Sequence, residues 1–319
     1  TPREAARLVS LLTVQEDPAV GGGGHEAWCD VHTLLARGSG MREELALLLC
    51  SLLLGFGLDA HVCIGRDEVC GQAWVMTRSA RRHPTFWDAL TGLRYGRGAE
   101  VLPLEECPYR TVGCVFNHRV ICANLQADDT LHGSKFDLED YSHWHVLDAN
   151  EELASLDTTL PTPIRPSQLN THQEEERIEA ELRQLLAGHR ERALAGEPSG
   201  NNCNWDSTLC RLLMPALSAY ECEACTGVAP GNTEFQQAIK RAVPTGHTFK
   251  GFPRQFNHRS ATLMAHTLLR EPVVTDILST VGQAVKFAVR VKVFAYPEDL
   301  CSVWVMLAVK FKGVEGASS

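Results

Sequence analysis

The chain has no excess of basic residues: 30 lysines and arginines stand against 39 aspartates and glutamates, a formal charge of −9 over 319 residues. Holding nucleic-acid phosphates takes a cationic stripe, so that partner class is not expected, although a local basic patch stays open. Long apolar runs are missing too. The densest, residues 45–58, is broken by Cys50, Ser51, Gly55 and Gly57 and is too short to span a bilayer. Nor do the first residues show the basic, apolar and small-residue succession of a secretory leader, so neither secretion nor membrane insertion is expected. Cysteine is not scarce, with 12 in the chain, but the thiols are scattered and several fall inside apolar segments. Reduced thiols in the cytosol fit that pattern better than a disulfide framework. With 44% hydrophobic and 22% charged residues, the length suits about two domains with a sizeable core.

Composition shifts suggest where the domains divide. Pro161, Pro163 and Pro166 lie among Thr and Ser in residues 157–168, a linker signature, because proline removes backbone donors and favours extended chain. The expected division is 1–160, a linker over 161–172, and 173–319. The Gly21 to Gly24 run is read as a flexible separator after a short apolar element at 5–14, and residues 196–202 as a loop between helices. The second domain opens with an expected helix at 174–194, in which Ile178, Leu182, Leu185 and Leu186 form one stripe while Glu175, Glu179 and Arg183 face water. Further helices are expected around 205–217, with Pro215 as a kink, at Phe235 and Ile239, at 263–268 and at 274–278. Alternation from Val285 to Val293, a Pro297-Glu298-Asp299 turn and residues 302–311 read as a closing β-hairpin. The expected fold class is α+β.

A cysteine-hydrolase frame is visible in the first domain. Gly38-Ser39-Gly40 runs into an apolar helix at 41–56, followed by a strand at 61–64, an Ala-Trp strand at Gln72 and a Trp-Asp strand at Asp88. In papain-like and transglutaminase-like folds the nucleophilic Cys opens the helix, where backbone N–H groups and the helix dipole lower a thiol's pKa. A strand His takes its proton, and an Asp or Asn on the next strand orients that His. Here those slots hold Arg42, Gln72 and Asp88. Arg42 is no nucleophile, and neither are Met41, Glu43 and Glu44. Gln72 does not titrate, so it cannot act as a general base. Cys50 lies two turns into the helix, in a run too apolar for a wet face, and reads as structural.

Longer blocks carry a resemblance. Residues 46–60, Ala73-Trp74-Val75-Met76-Thr77, residues 109–118, Ala242-Val243-Pro244, residues 246–253 and residues 289–298 resemble the family of the 76-kilodalton centrosomal protein. The similarity covers almost the whole chain in ungapped blocks. It implies a centriolar or basal-body protein that restrains centriole duplication, with an inactive peptidase-like domain of papain/transglutaminase type, a helix packed on an antiparallel sheet, ahead of a smaller α+β domain. The family places a C2-like region before the peptidase-like one; none is visible here, so the chain is expected to be the C-terminal part of such a protein. Gln72 departs from the family's retained His. The resemblance also implies the cytoplasm, the cytoskeleton, and the centrosome or ciliary basal body as the place of action.

Three functional classes follow: a noncatalytic adaptor, a cysteine peptidase or transglutaminase-type acyl transferase using a displaced thiol, and an architectural domain whose cleft its own side chains fill. For an adaptor, the vacated cleft lined by Arg42, Gln72, Trp74, Trp87 and Asp88 is the first candidate site, with Arg42 offered to an acidic peptide, such as a tubulin tail, or to a centriolar partner. The second is a basic face formed by Lys286, Arg290 and Lys292, joined by Lys310, against the alternative that these residues merely solubilise a sheet. Cys222-Glu223-Ala224-Cys225 has the spacing of half a zinc site but no second pair, so neither metal nor cofactor is expected. Cys29 and His32 read as an ordinary helix start rather than a cryptic nucleophile and base. His118 and His258 read as loop or structural histidines, and Arg81, Arg82 and His83 as a solvated turn.

Overall fold

The structure is a computed structural model that describes residues 1–15, 28–79, 83–98, 101–148, 163–195, 202–227 and 233–312. The Gly21 to Gly24 run, Arg81, Arg82, the first half of the expected 157–168 linker and most of the 196–202 loop lie outside the described residues. The chain forms two compact units, one of 1–165 with 224–228, the other of 166–223 with 229–319.

The first unit starts with helix α1 (Pro2–Ser10), capped by Thr1 and Glu4 in a reciprocal box. A two-residue parallel pairing joins β1 (Thr13–Val14) to β2 (Ser39–Gly40), with helix α2 (Val31–Arg37) between them. Asp30 caps α2 by accepting from His32 and Thr33 N–H groups, so Cys29 and His32 do sit at a helix start. Gly38 ends α2 at φ +66°, the left-handed cap that glycine takes without strain. Helix α3 (Arg42–Gly55) follows, with Leu45, Leu48, Leu49 and Leu53 fully buried.

Next come β3 (Asp59–Arg66), β4 (Gly71–Arg78), β5 (Pro84–Trp87), β6 (Arg94–Gly96), β7 (Leu102–Pro103), β8 (Thr111–Phe116), β9 (Val120–Asn124) and β10 (Trp144–Asp148). They make one sheet in the order β10-β9-β8-β3-β4-β5-β6-β7. Every pairing is antiparallel except β6 with β7, so the expected antiparallel sheet carries one parallel pair. Helix α3 packs on β3 and β4. On one face Cys63, Trp74, Met76, Phe86, Tyr109, Val115 and Trp144 form a core.

In the second unit, Asn170 caps helix α4 (Thr171–Ala193). Helix α5 (Ser207–Thr226) contains Pro215. Helices α6 (Thr233–Ala242), α7 (Ala261–Leu268) and α8 (Pro272–Ser279) follow. The sheet has the order β11 (His247–Phe256), β13 (Cys301–Lys312), β12 (Gln283–Ala295), antiparallel throughout. Phe287, Val289, Val291 and Val293 join Ile178, Leu182 and Leu186 in one core, while Ala288, Met306 and Ala308 meet Leu209, Leu213 and Leu217 on the other face. Glu298 and Asp299 turn the hairpin in the left-handed region.

One expectation about α4 fails. Glu175 and Glu179 are buried rather than water-facing: they accept hydrogen bonds from the Val293 and Val291 N–H groups at 3.1 and 3.3 Å along the outer edge of β12. The i, i+4 spacing put both on one helical face, and that face borders a strand edge.

Candidate functional site

The three slots of the hydrolase frame sit at the start of α3, in β4 and just after β5, and they do not work on one another. Arg42, in the first turn of α3, donates from Nη1 to Gln72 Oε1 at 3.2 Å. The Gln72 amide donates in turn to Asp67 Oδ2 at 2.8 Å and to Cys70 Sγ at 3.2 Å. Asp67 accepts from the Val69 and Cys70 N–H groups. These backbone bonds, together with Gln72 and the nearby Arg42 charge, hold its carboxyl below the ordinary range.

Asp88 belongs to a separate group. It is buried and accepts from the Leu90 N–H at 2.9 Å and the Thr91 hydroxyl at 2.8 Å, and Tyr109 lies near enough to feel its charge. Burial, followed by the Asp88 charge, raises the Tyr109 pKa. The Tyr109 ring stacks on Trp74, with centroids 4.2 Å apart and planes 7° apart. Where a triad uses this carboxylate to orient a histidine, it here holds the turn after β5 through Leu90 and Thr91.

The mouth of α3 is occupied as well. Glu44, 3% exposed, accepts from the Met41 N–H and the Cys29 N–H, both at 2.8 Å, and pairs with Arg37 at 3.0 Å. Gly40 makes this possible: a Cβ there would lie 2.9 Å from Glu44 Oε2 and collide with Leu34. In a hydrolase the first N–H groups of this helix face a thiolate or an oxyanion, whereas here a carboxylate of the chain itself is present.

No displaced thiol at this mouth is activated. Burial first, then the Glu44 carboxylate, pushes Cys29 up. Burial pushes Cys50 up to about 12. Cys70 is different: it is exposed and accepts from the Gln72 amide, yet among the described residues no histidine is hydrogen bonded to it to serve as base. The sequence reading passed over Cys70 and Asp67; the Asp-x-x-Cys spacing of a tight turn just before Gln72 was the available signal.

Trp74 and Trp87 were expected to line a cleft, and burial corrects that. Trp74 is fully buried and Trp87 is 4% exposed, with its Nε1 donating to Thr77 Oγ1 at 2.9 Å. A ligand finds no indole surface on either. Arg42 is half-buried and bonded to Gln72.

The basic face needs a similar correction. Lys286 and Lys310 are directly opposed in the β12–β13 register, so the expected clustering is real. Its charge, however, is largely engaged. Arg290 meets Glu179 at 3.1 Å and Glu175 at 3.9 Å, Lys292 meets Glu175 at 3.0 Å, and Lys310 meets Asp206 at 3.1 Å. Arg290 and Lys292 neutralise the two glutamates that seal the β12 edge instead of facing an acidic peptide. Among the described residues, no group of three or more His, Cys, Asp or Glu side chains is arranged to hold a metal ion, and no helix is long and apolar enough to cross a membrane.

Comparison with known proteins matches two stretches to family models: the CEP76 peptidase-like domain over residues 26–147 and the C-terminal domain of the centrosomal protein of 76 kDa over residues 167–312. The chain is 44% identical over 332 residues to the centrosomal protein of 76 kDa of Xenopus tropicalis and 42% identical over 331 residues to that of Homo sapiens, covering 98% of this chain and 49% of each relative. Human protein CC2D2B is 26% identical over 309 residues, covering 95% of this chain and 20% of that protein. The chain thus spans about half the length of the 76 kDa relatives.

Proposed function

The chain belongs to the family of the centrosomal protein of 76 kDa, and from that premise we propose that it acts at the centriole or ciliary basal body as a noncatalytic adaptor in the control of centriole duplication and cilium-related assembly. Its peptidase-like unit binds a protein or peptide without cutting it. The observation that carries this reading is the separation of the triad slots: Arg42 and Gln72 bond to each other while Asp88 accepts from the Leu90 N–H and the Thr91 hydroxyl. A nucleophile, a base and an orienting acid are all required for acyl transfer, and here no two of the slots are coupled in that sense.

Arg42, beside the exposed Val69 and Cys70 on the β3–β4 turn, is the point at which an acidic peptide segment, a tubulin tail or a centriolar protein would dock. Placing the tagged full-length protein at its own locus and imaging it against a centriole marker tests the location, with discrete centriolar spots expected. Arg42→Glu tests the contact: capture of a centriolar partner should fall at least tenfold, and unchanged capture would remove the cleft from the reading.

A second reading, a displaced-thiol peptidase or transglutaminase-type enzyme, has one observation in its favour: the 3.2 Å approach of Cys70 Sγ to Gln72. A thiol-directed activity probe discriminates. Fast, saturable acylation at Cys70, abolished by Cys70→Ser, supports an enzyme; labelling at the rate of free cysteine supports the adaptor.

A further inference from the structure

We infer that the β10 edge of the first unit is a docking strip for an extended segment of a partner polypeptide, which adds to the eight-stranded sheet as a further strand. The inference begins with how this chain treats its other strand edges. An uncovered strand edge carries unpaired N–H and C=O groups and invites association, so folded chains seal or blunt it. The β12 edge is sealed along its length. The Phe287 N–H donates to Asn204 O and its carbonyl accepts from the Asp206 N–H, both at 2.8 Å. Further along, the Val289 carbonyl accepts from Cys210 at 3.4 Å, and the Val291 and Val293 N–H groups meet Glu179 and Glu175. The β11 edge carries Pro253, which has no N–H to offer. At the far side of the large sheet, β7 is two residues long and ends in Pro103.

β10 has none of these devices among the described residues. The Leu125 N–H to His143 O bond at 2.9 Å fixes the ladder phase against β9. With Trp144 opposite Asn124 and Leu147 opposite Ile121, the backbone groups of His145 and Leu147 point at β9. The Val146 N–H and C=O, the Trp144 C=O and the Asp148 N–H therefore point away from it. Beside that edge the outer face carries apolar side chains next to exposed His145: Ile121 and Leu147 are direct cross-strand neighbours, 40% and 53% exposed. Leu125 is 58% exposed, and half-buried Phe116 continues the row from β8. Single exposed apolar residues need no explanation, but a row of them flanking an unpaired edge does.

The size of the strip selects the occupant. Five residues span about 17 Å and offer about four main-chain bonds. The area that one five-residue strand edge can bury falls short of the roughly 1,200 Å² a stable dimer needs, which disfavours a second copy of the chain. It suits an extended peptide whose backbone takes the Val146 groups and whose alternate, apolar side chains lie over Ile121 and Leu147.

A random 12-residue peptide library displayed on phage and selected on the intact chain tests this, with hydrogen exchange as a second readout. Selected peptides should alternate apolar and polar residues, slow exchange at the Val146 amide, and lose at least tenfold in affinity to Val146→Pro. Val146→Thr, which keeps the N–H, should bind normally. Leu147→Lys, which leaves the β9 bonds intact, should also weaken binding and serves if the proline variant fails to fold. Selected peptides indifferent to Val146→Pro and Leu147→Lys would overturn the proposal. So would a Val146 amide already protected in the chain alone, or protection that rises with chain concentration, which would mean that the chain itself or a second copy closes the edge.

Discussion

A carboxylate buried at a helix start must be held from several directions, and Glu44 is held by the Met41 N–H, the Cys29 N–H and Arg37. Burial raises its pKa, but the bonds to Cys29 and Met41 and the Arg37 charge outweigh that and leave it below the ordinary glutamate range. Hydrogen bonds to a charged group are worth about 1.5–3 kcal/mol each, so Glu44→Ala should destabilise the first unit by about 3 kcal/mol in urea unfolding, with Glu44→Gln costing less. Because the folded pKa is depressed, this contribution is fully present above the unfolded pKa and fades as pH falls through the folded value. His61 adds to the same loss on acidification by another route. Burial lowers its pKa to about 4, with Asp59 opposing, and its Nδ1 has no hydrogen-bond partner. Between the unfolded value near 6.5 and the folded one the unfolded state binds more protons, so stability falls as pH drops through that window. Near pH 4 the penalty is on the order of 3 kcal/mol. His61→Leu should flatten the acid limb of a stability–pH curve; an unaltered limb would show that His61 is not held neutral.

At the scale of elements, the glutamate seal on β12 makes the clearest claim. Glu175 and Glu179 each accept a strand N–H and each pair with a cation. The double variant Glu175→Ala/Glu179→Ala should lower the thermal midpoint of the second unit and raise its light scattering, because the freed edge can pair with another chain. Gln at both positions keeps the acceptors and should recover most of the solubility. Equal behaviour of the Ala and Gln pairs would assign the effect to the lost ion pairs alone. This element also shows how far the sequence could be read. The α3 helix and the β12–β13 hairpin were legible, since an apolar run between glycines and strict alternation each have a single period. β11 was not, because Gly251 and Pro253 interrupt it and its ten residues do not alternate in burial. The role of Glu175 and Glu179 was illegible for another reason: helical spacing says which residues share a face, not what the face meets. The slots Arg42, Gln72 and Asp88 were found by spacing, whereas the bonds of their neighbours were not: Asp67 and Glu44 lie close by in sequence, but spacing does not say which N–H groups their carboxylates meet.

At the scale of the molecule, a retired site can differ from a working one by its missing groups alone or by rewiring of its surroundings, and the two make different predictions. If only groups were missing, Arg42→Cys together with Gln72→His should restore hydrolysis of an activated ester, with burst acylation of the introduced thiol. Rewiring predicts that the double variant stays inert. The Met41 N–H at the helix mouth is already bound to Glu44, whose negative charge would raise the introduced thiol's pKa rather than lower it. Asp88 is committed to Leu90 and Thr91, so an introduced imidazole would lack its orienting acid. Losing that acid alone costs about 10⁴ in kcat in a serine protease. We therefore expect the double variant to react with p-nitrophenyl acetate at the rate of an ordinary thiol. Adding Glu44→Gln, which removes the negative charge at the helix mouth, and Thr91→Val, which removes one of the bonds that occupy Asp88, should produce the first measurable burst. A burst from the double variant alone would show that this scaffold lost its chemistry by two substitutions and kept the rest of the site intact.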